Sequence, residues 1–217
     1  MEPRLRRLVI YEAADSSRLF ETWLDSLKDL KGRAIIRNRL DRLALGLLGE
    51  HHDVGDGTWE LVIDYGPGYR VYYGEWKDRV VVLLAGGTKR GQSPAGHPSG
   101  QEVFRRFQEA KQMIRGARAY DDYLRESLKD PVEASAYLQV ALEDRNPTVF
   151  LMALRNVALA HGGLRDLSKK TKLNRETLYR ILSEKGNPAL VTLHSILQAL
   201  GLQIMIAPKK RKIKRAA

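Results

Sequence analysis

The chain has 217 residues, of which 43% are hydrophobic, and no cysteine. This is enough for one or two cored domains, and it excludes disulfides and thiolate metal sites, in keeping with a reducing cytosol. The formal charge of +11 calls for a polyanionic partner. Nucleic acid is favoured over membrane, because no apolar run reaches the ~18 residues of a span and no long basic amphipathic helix is visible. The opening MEPRLRRLVI lacks the apolar core of a signal peptide, so a cytoplasmic protein is expected.

The charge is uneven. Residues 1–119 carry 20 Lys/Arg and 16 Asp/Glu, residues 120–146 carry 3 and 7, and residues 147–208 carry 8 and 3. The tail KKRKIKRAA adds six cations. An acidic segment therefore separates two basic regions.

In chain order, RLRRLVIYEA reads as a strand centred on Leu8 to Tyr11. From Ser16 the period becomes helical through Leu19, Phe20, Trp23, Leu24 and Leu27. Lys31-Gly32 is expected to break that helix, and Ile35, Ile36, Leu40, Leu43 and Leu47 mark a second one, making a helical hairpin. Gly49 to Gly57, with His51, His52 and Asp53, reads as a loop; its histidines are candidates for shuttling a proton, although two histidines in a loop are more often simply solvated.

A meander follows. Trp59, Leu61, Ile63 and Tyr65 alternate, Gly66-Pro67-Gly68 turns, and Tyr69, Val71 and Tyr73 share one face while Arg70, Tyr72 and Gly74 share the other. Lys77-Asp78 turns again before the apolar run Val80 to Ala85. The expected order is β-α-α-β-β-β. Arg70 cannot shed its charge on burial. Either it pairs with Asp64 or Glu60 on the neighbouring strand, or its face is an open cleft where it could hold a phosphate with Tyr72, Lys89 and Arg90.

SPAGHPSG (Ser93–Gly100) reads as a linker, and a helix over about 101–115 follows it. Asp130-Pro131 caps another helix, with Ala134, Tyr137, Leu138, Ala141 and Leu142 on its apolar face. Asn146-Pro147 breaks the chain before a helix from Val149 to His161, which Gly162-Gly163 ends. Leu164 to Lys170 and a helix capped by Asn174 then form a helix-turn-helix pattern, locked by Leu167, Leu173, Leu178 and Ile181. Arg175, Glu176, Tyr179 and Arg180 would face outward, with arginine suited to guanine and tyrosine to phosphate. The plainer alternative is an α-hairpin with a solvated charged face.

Two runs carry family resemblances. Residues 8–92, above all ELVIDYGPGYRVYY (Glu60–Tyr73) and LLAGGTKRGQ (Leu83–Gln92), resemble the HigB-like addiction module killer toxins of the RelE/ParE superfamily. That resemblance implies a compact α+β fold and, for many members, ribosome-dependent mRNA cleavage without metal or cofactor; the ParE branch instead poisons DNA gyrase. It implies that Arg70 and Lys89 belong to the cleft, with Tyr72 or Tyr73 beside them. Residues 119–206, with LNRETLYRILSEKGNPALVTL, resemble the HigA-like addiction module antidotes. Those resemble phage repressors, dimerise, bind their own operator and neutralise the toxin. Lys172 stands where that family has a glycine at the turn.

The resulting expectation is an α+β RelE-like toxin domain, a helical hairpin on a small sheet, followed by an all-α, lambda-repressor-like helix-turn-helix domain. Its parts are a toxin domain over 1–92, a linker and connecting helix over 93–119, an acidic antitoxin segment over 120–146, a DNA-binding domain over 147–207 and a basic tail over 208–217. The catalytic set is Arg70, Tyr72 and Lys89, and the DNA-reading set is Asn174, Arg175, Glu176, Tyr179 and Arg180. No metal or cofactor is expected. The partners are operator DNA, a second copy of the chain, and the ribosome with its mRNA. The acidic segment is available to oppose the Arg70 cleft and the cations of the toxin half, which concentrate around Arg33–Arg42, Arg70 and Lys89-Arg90. The alternative is a DNA-binding transcriptional regulator whose toxin half is only a scaffold.

Overall fold

The computed structural model describes residues 5–77, 79–89, 100–113, 117–206 and 208. Arg90, most of the SPAGHPSG stretch and the basic tail from Lys209 lie outside the described residues.

Among the described residues, six strands make one sheet in the order β2-β3-β4-β5-β1-β6. They are β1 (Arg7–Ile10), β2 (His51–Gly55), β3 (Thr58–Ile63), β4 (Tyr69–Trp76), β5 (Val80–Thr88) and β6 (Arg118–Ala119). β1 runs parallel to β5, and the other pairings are antiparallel. Residues 49–57 are thus not simply a loop: His51 to Gly55 form an edge strand on β3. The stretch lacks apolar alternation because its side chains are largely solvated, so periodicity could not reveal it.

Helices α1 (Leu19–Ser26) and α2 (Leu30–Ala44) form the hairpin on one sheet face. The break falls at residues 27–29 rather than at Lys31-Gly32. Asp29 is the N-cap of α2 and accepts from the Gly32 amide at 3.0 Å, which draws Lys31 and Gly32 into the first turn. Phe20, Trp23, Leu24, Ile36 and Leu40 pack on Ile10, Leu61, Val71, Tyr73 and Leu83. Trp23 lies over Gly86, where an added Cβ would sit 1.9 Å from the indole. The opposite face carries Val9, Tyr11, Tyr72, Val82, Leu84 and Ala85, and α3 (Gly100–Met113) covers it with Val103, Phe107 and Ala110.

From β6 the chain is helical: α4 (Tyr120–Ser127), α5 (Pro131–Glu143), α6 (Pro147–Ala160), α7 (Gly163–Thr171), α8 (Arg175–Ile181) and α9 (Leu190–Ala199). Asp130, Asn146 and Asn174 cap α5, α6 and α8 through their side chains. α5 packs along α2, so one apolar cluster runs from the sheet through α2, α4, α5 and α6 to α9. None of the described helices is long and apolar enough to cross a membrane.

Candidate functional site

Glu60, Arg70 and Tyr72 share the sheet face on which α3 sits. β3 and β4 pair Glu60 with Tyr72 and Val62 with Arg70. The Arg70 Nε lies 3.1 Å from Glu60 Oε1, and the Tyr72 hydroxyl donates to the same oxygen at 3.2 Å. Arg70 Nη1 also donates to the Tyr69 carbonyl at 2.9 Å. Of the two fates foreseen for Arg70, pairing with Glu60 is therefore the one present. Burial and the neighbouring Glu60 carboxylate push the Tyr72 hydroxyl well above its ordinary value, against the pull of Arg70.

Lys89 adjoins this group. The point where Gly68 would carry a Cβ is 3.3 Å from Lys89 Cβ and 3.6 Å from Arg70 Nη1, so Gly68 lets the two cationic side chains approach one place. Gly87, in register with Arg70, has open space on its side-chain side. His52 is in register with Glu60 and is exposed, while His51 turns its Nδ1 to the Gly49 carbonyl at 2.8 Å. In the sequence His52 reads as a loop residue with at most a proton-shuttling role, and Glu60 as a possible ion-pair partner of Arg70. Their cross-strand row with Tyr72 appears only once β2 is recognised. Such a group offers two cations for a phosphate, a carboxylate that could accept a proton and a histidine beside it. No group of metal-ligating side chains is assembled among the described residues.

The acidic segment does not oppose Arg70. It packs on α2, on the other side of the sheet, and builds a second polar site there. Glu133 of α5 receives both Arg33 and Arg37, and Arg37, 1% exposed, also reaches Ser127 Oγ at 2.5 Å. Burial works against the Glu133 charge, and the hydrogen bonds from Arg33 and Arg37 outweigh it, holding the carboxyl below its ordinary value. Arg42 Nη1 spans both oxygens of Asp144, at 2.8 and 3.0 Å. Asp41, buried in the same seam, accepts from Tyr137, whose hydroxyl accepts from Asn156. Arg118 of β6 meets Glu21 at 2.6 Å, and Tyr123 donates to Asp25 at 2.5 Å. Apart from Tyr137–Asn156, these pairs join residues about a hundred positions apart, and no local spacing announces them.

The third group is on α7 and α8. Lys172 closes α7 with φ 59°, so the turn keeps the left-handed geometry without glycine. Asn174 caps α8 by accepting from the Thr177 amide at 2.6 Å. Arg175, Glu176, Tyr179 and Arg180 are exposed on α8, while Leu178 and Ile181 are buried beneath it.

Residues 120–208 match the model of a family described as probable addiction module antidote protein. Two proteins of Haemophilus influenzae, both described as uncharacterized, are similar to the chain. One is 45% identical over 73 residues, which is 34% of this chain and 74% of that protein. The other is 32% identical over 81 residues, which is 37% of this chain and 82% of that protein. No solved structure matches the chain. The α4–α9 region that docks on α2 is thus the region that carries the family match, and through that region the chain belongs to the family of probable addiction module antidote proteins.

Proposed function

We propose that this chain is a toxin and its antidote in one polypeptide. In this reading the sheet half is a latent, metal-independent endoribonuclease of the HigB-like, RelE/ParE kind that acts on mRNA at the ribosome. The helical half, HigA-like, neutralises it and binds operator DNA through an α7–α8 helix-turn-helix as a cytoplasmic autorepressor. The observation that carries the reading is the α2–α5 seam. An antidote-family segment buries Arg37 of the other half against its own Glu133, as an inhibitor does with its target. For RNA, the attacking 2′-hydroxyl needs a proton acceptor and the phosphorane needs cations, roles open to Glu60 and to Arg70 with Lys89. For DNA, the exposed row Arg175, Glu176, Tyr179 and Arg180 supports major-groove reading, with Asn174 fixing the helix start. Exposed Leu190, Val191, Met205 and Ile206 are compatible with pairing of two copies.

The test is growth on induction of the full chain. The unaltered chain should be harmless. Glu133→Lys, which sets a third cation against Arg33 and Arg37, should make it toxic, and Arg70→Ala added to it should restore growth. A harmless Glu133→Lys chain whose α2–α5 seam has opened favours the second reading, a DNA-binding regulator with an inert sheet half. The Glu60–Arg70 pair and the cover of α3 over the same face support that alternative.

A further inference from the structure

We propose that α2 is a docking surface for the phosphate backbone of RNA, and that α5 keeps it closed as an acidic stand-in for that backbone. The choice of RNA over other polyanions rests on the reading above.

α2 carries five cations, Lys31, Arg33, Arg37, Arg39 and Arg42. Arg39 serves its own half, donating to the carbonyls of Leu47, Leu48 and Glu50. The other four all meet α5 or its C-cap: Arg33 and Arg37 at Glu133, Lys31 at Glu143 and Arg42 at Asp144. At about 100° per residue, Arg33 and Arg37 fall on one flank of α2, and Lys31 and Arg42 on the other. An acidic helix thus lies between two cationic rows, as a phosphate strand would.

The charge count does not suit a seam built only for stability. Four cations face three carboxylates, one carboxylate serves two guanidiniums, and the buried Arg37 Nε makes no hydrogen bond among the described residues. Apolar residues would hold the two helices at lower desolvation cost. Ile36, Leu40, Ala134, Tyr137 and Leu138 already do so in the same core. Cations retained in that position fit a second, polyanionic partner. The consequence is a release route: in a chain whose halves are covalently joined, RNA competes with α5 for α2.

The test measures binding of an unstructured RNA of about 20 nucleotides to the full chain as salt is varied. One variant is Glu133→Gln with Glu143→Gln and Asp144→Asn. Its charge-matched control neutralises the exposed Glu50, Asp56 and Asp122 instead. A third variant adds Lys31→Ala, Arg33→Ala and Arg42→Ala to the first. All share the helical half and the tail, so differences report on α2. The seam variant should bind about tenfold tighter than the unaltered chain, with a salt slope steeper by roughly two to three phosphates at ~0.7 each. The control should gain less than about twofold, and removal of the α2 cations should abolish the gain. Should the neutralised seam stay shut, RNA added to the unaltered chain must still raise amide hydrogen exchange in residues 131–144. Equal gain in the control, a gain that survives loss of the α2 cations, or no change in either measurement overturns the proposal. Binding is read without cleavage. A chain that docks RNA through α2 yet never harms cells would keep this surface and remove the ribonuclease reading.

Discussion

Tyr137 of α5 donates its hydroxyl to the Asp41 carboxylate of α2, and both side chains are buried where the two halves meet. Burial raises Asp41 to about 8, the hydrogen bond from Tyr137 working against it, the nearby Asp121 charge with it and Arg37 against it. In the unfolded chain an aspartate titrates near ~3.9. Between those values the folded state holds a proton that the unfolded state has lost, so stability is greatest below the lower value and falls as pH rises toward the upper one. Asp41→Asn keeps an acceptor for Tyr137 and removes the titration. Denaturant unfolding between about pH 5 and 9 should show a decline on the order of a few kcal/mol in the unaltered chain and a much flatter profile in the variant. Parallel profiles would place the pH dependence elsewhere.

Arg37 has no route to water while α5 is in place. Glu133→Ala should cost about 3–5 kcal/mol in unfolding experiments, because it strands a buried guanidinium rather than merely deleting a contact. The double variant Arg37→Met/Glu133→Ala should recover most of that loss. If the single and double variants are equally unstable, the loss belongs to packing around α5 and not to the charge.

The sequence makes local punctuation readable and long-range pairing opaque. Asp130-Pro131, Asn146-Pro147 and Asn174 announce α5, α6 and α8, because a capping side chain and the amide it serves are two or three residues apart. Lys31-Gly32 misleads for a related reason. Asp29 caps α2 through the Gly32 amide, and this local bond outweighs the weak helix propensity of glycine. α3 illustrates the other limit. Val103 and Phe107 are visible as apolar positions, but the sheet face they cover is not. The cations around Arg33–Arg42 and the acidic residues of 120–146 are visible as opposed charge blocks, but that Arg33 and Arg37 share Glu133 and Arg42 takes Asp144 emerges only when the fold brings α2 and α5 together.

Gly74 marks the seat of α3 on the sheet. A Cβ there would stand 2.2 Å from the Phe107 ring. Gly74→Ala should displace Phe107 and lower stability by about 1–3 kcal/mol. Faster amide exchange should appear in residues 100–113, while exchange in α8 and α9 stays as it was. Phe107→Ala opens the same contact from the other side, so the two changes together should cost less than their sum. Full additivity would mean that Gly74 and Phe107 do not share the contact.

Lys172 occupies φ 59° and ψ 13°, a left-handed conformation that costs an ordinary residue about 1 kcal/mol. Lys172→Gly relieves that strain. Once the roughly 0.5–1 kcal/mol cost of glycine's greater freedom in the unfolded chain is subtracted, stability should rise by no more than about 0.5 kcal/mol, read as a small upward shift of the thermal midpoint. Loss of stability instead would mean that the lysine side chain contributes more than its backbone costs.

The exposed row on α8 gives the last prediction. Leu178 and Ile181 anchor the helix in the core, and Arg175, Glu176, Tyr179 and Arg180 are left to solvent. Alanine at Arg175 or Arg180 should therefore leave stability nearly unchanged. If these guanidiniums read bases, each change should weaken binding to the DNA upstream of the chain's own gene by about 1–3 kcal/mol while affecting random duplex little. If they hold phosphates, binding to both DNAs should weaken alike, and the salt slope should fall by about one per arginine lost. Asn174→Ala separates positioning from contact. It removes the bond to the Thr177 amide, so it should cost ~1 kcal/mol of stability and loosen the start of α8. Asn174→Ser, which can still cap, should restore stability, and it should restore affinity as well if the asparagine acts only through the helix it starts. Restored stability with affinity still lost would assign Asn174 a direct contact with DNA.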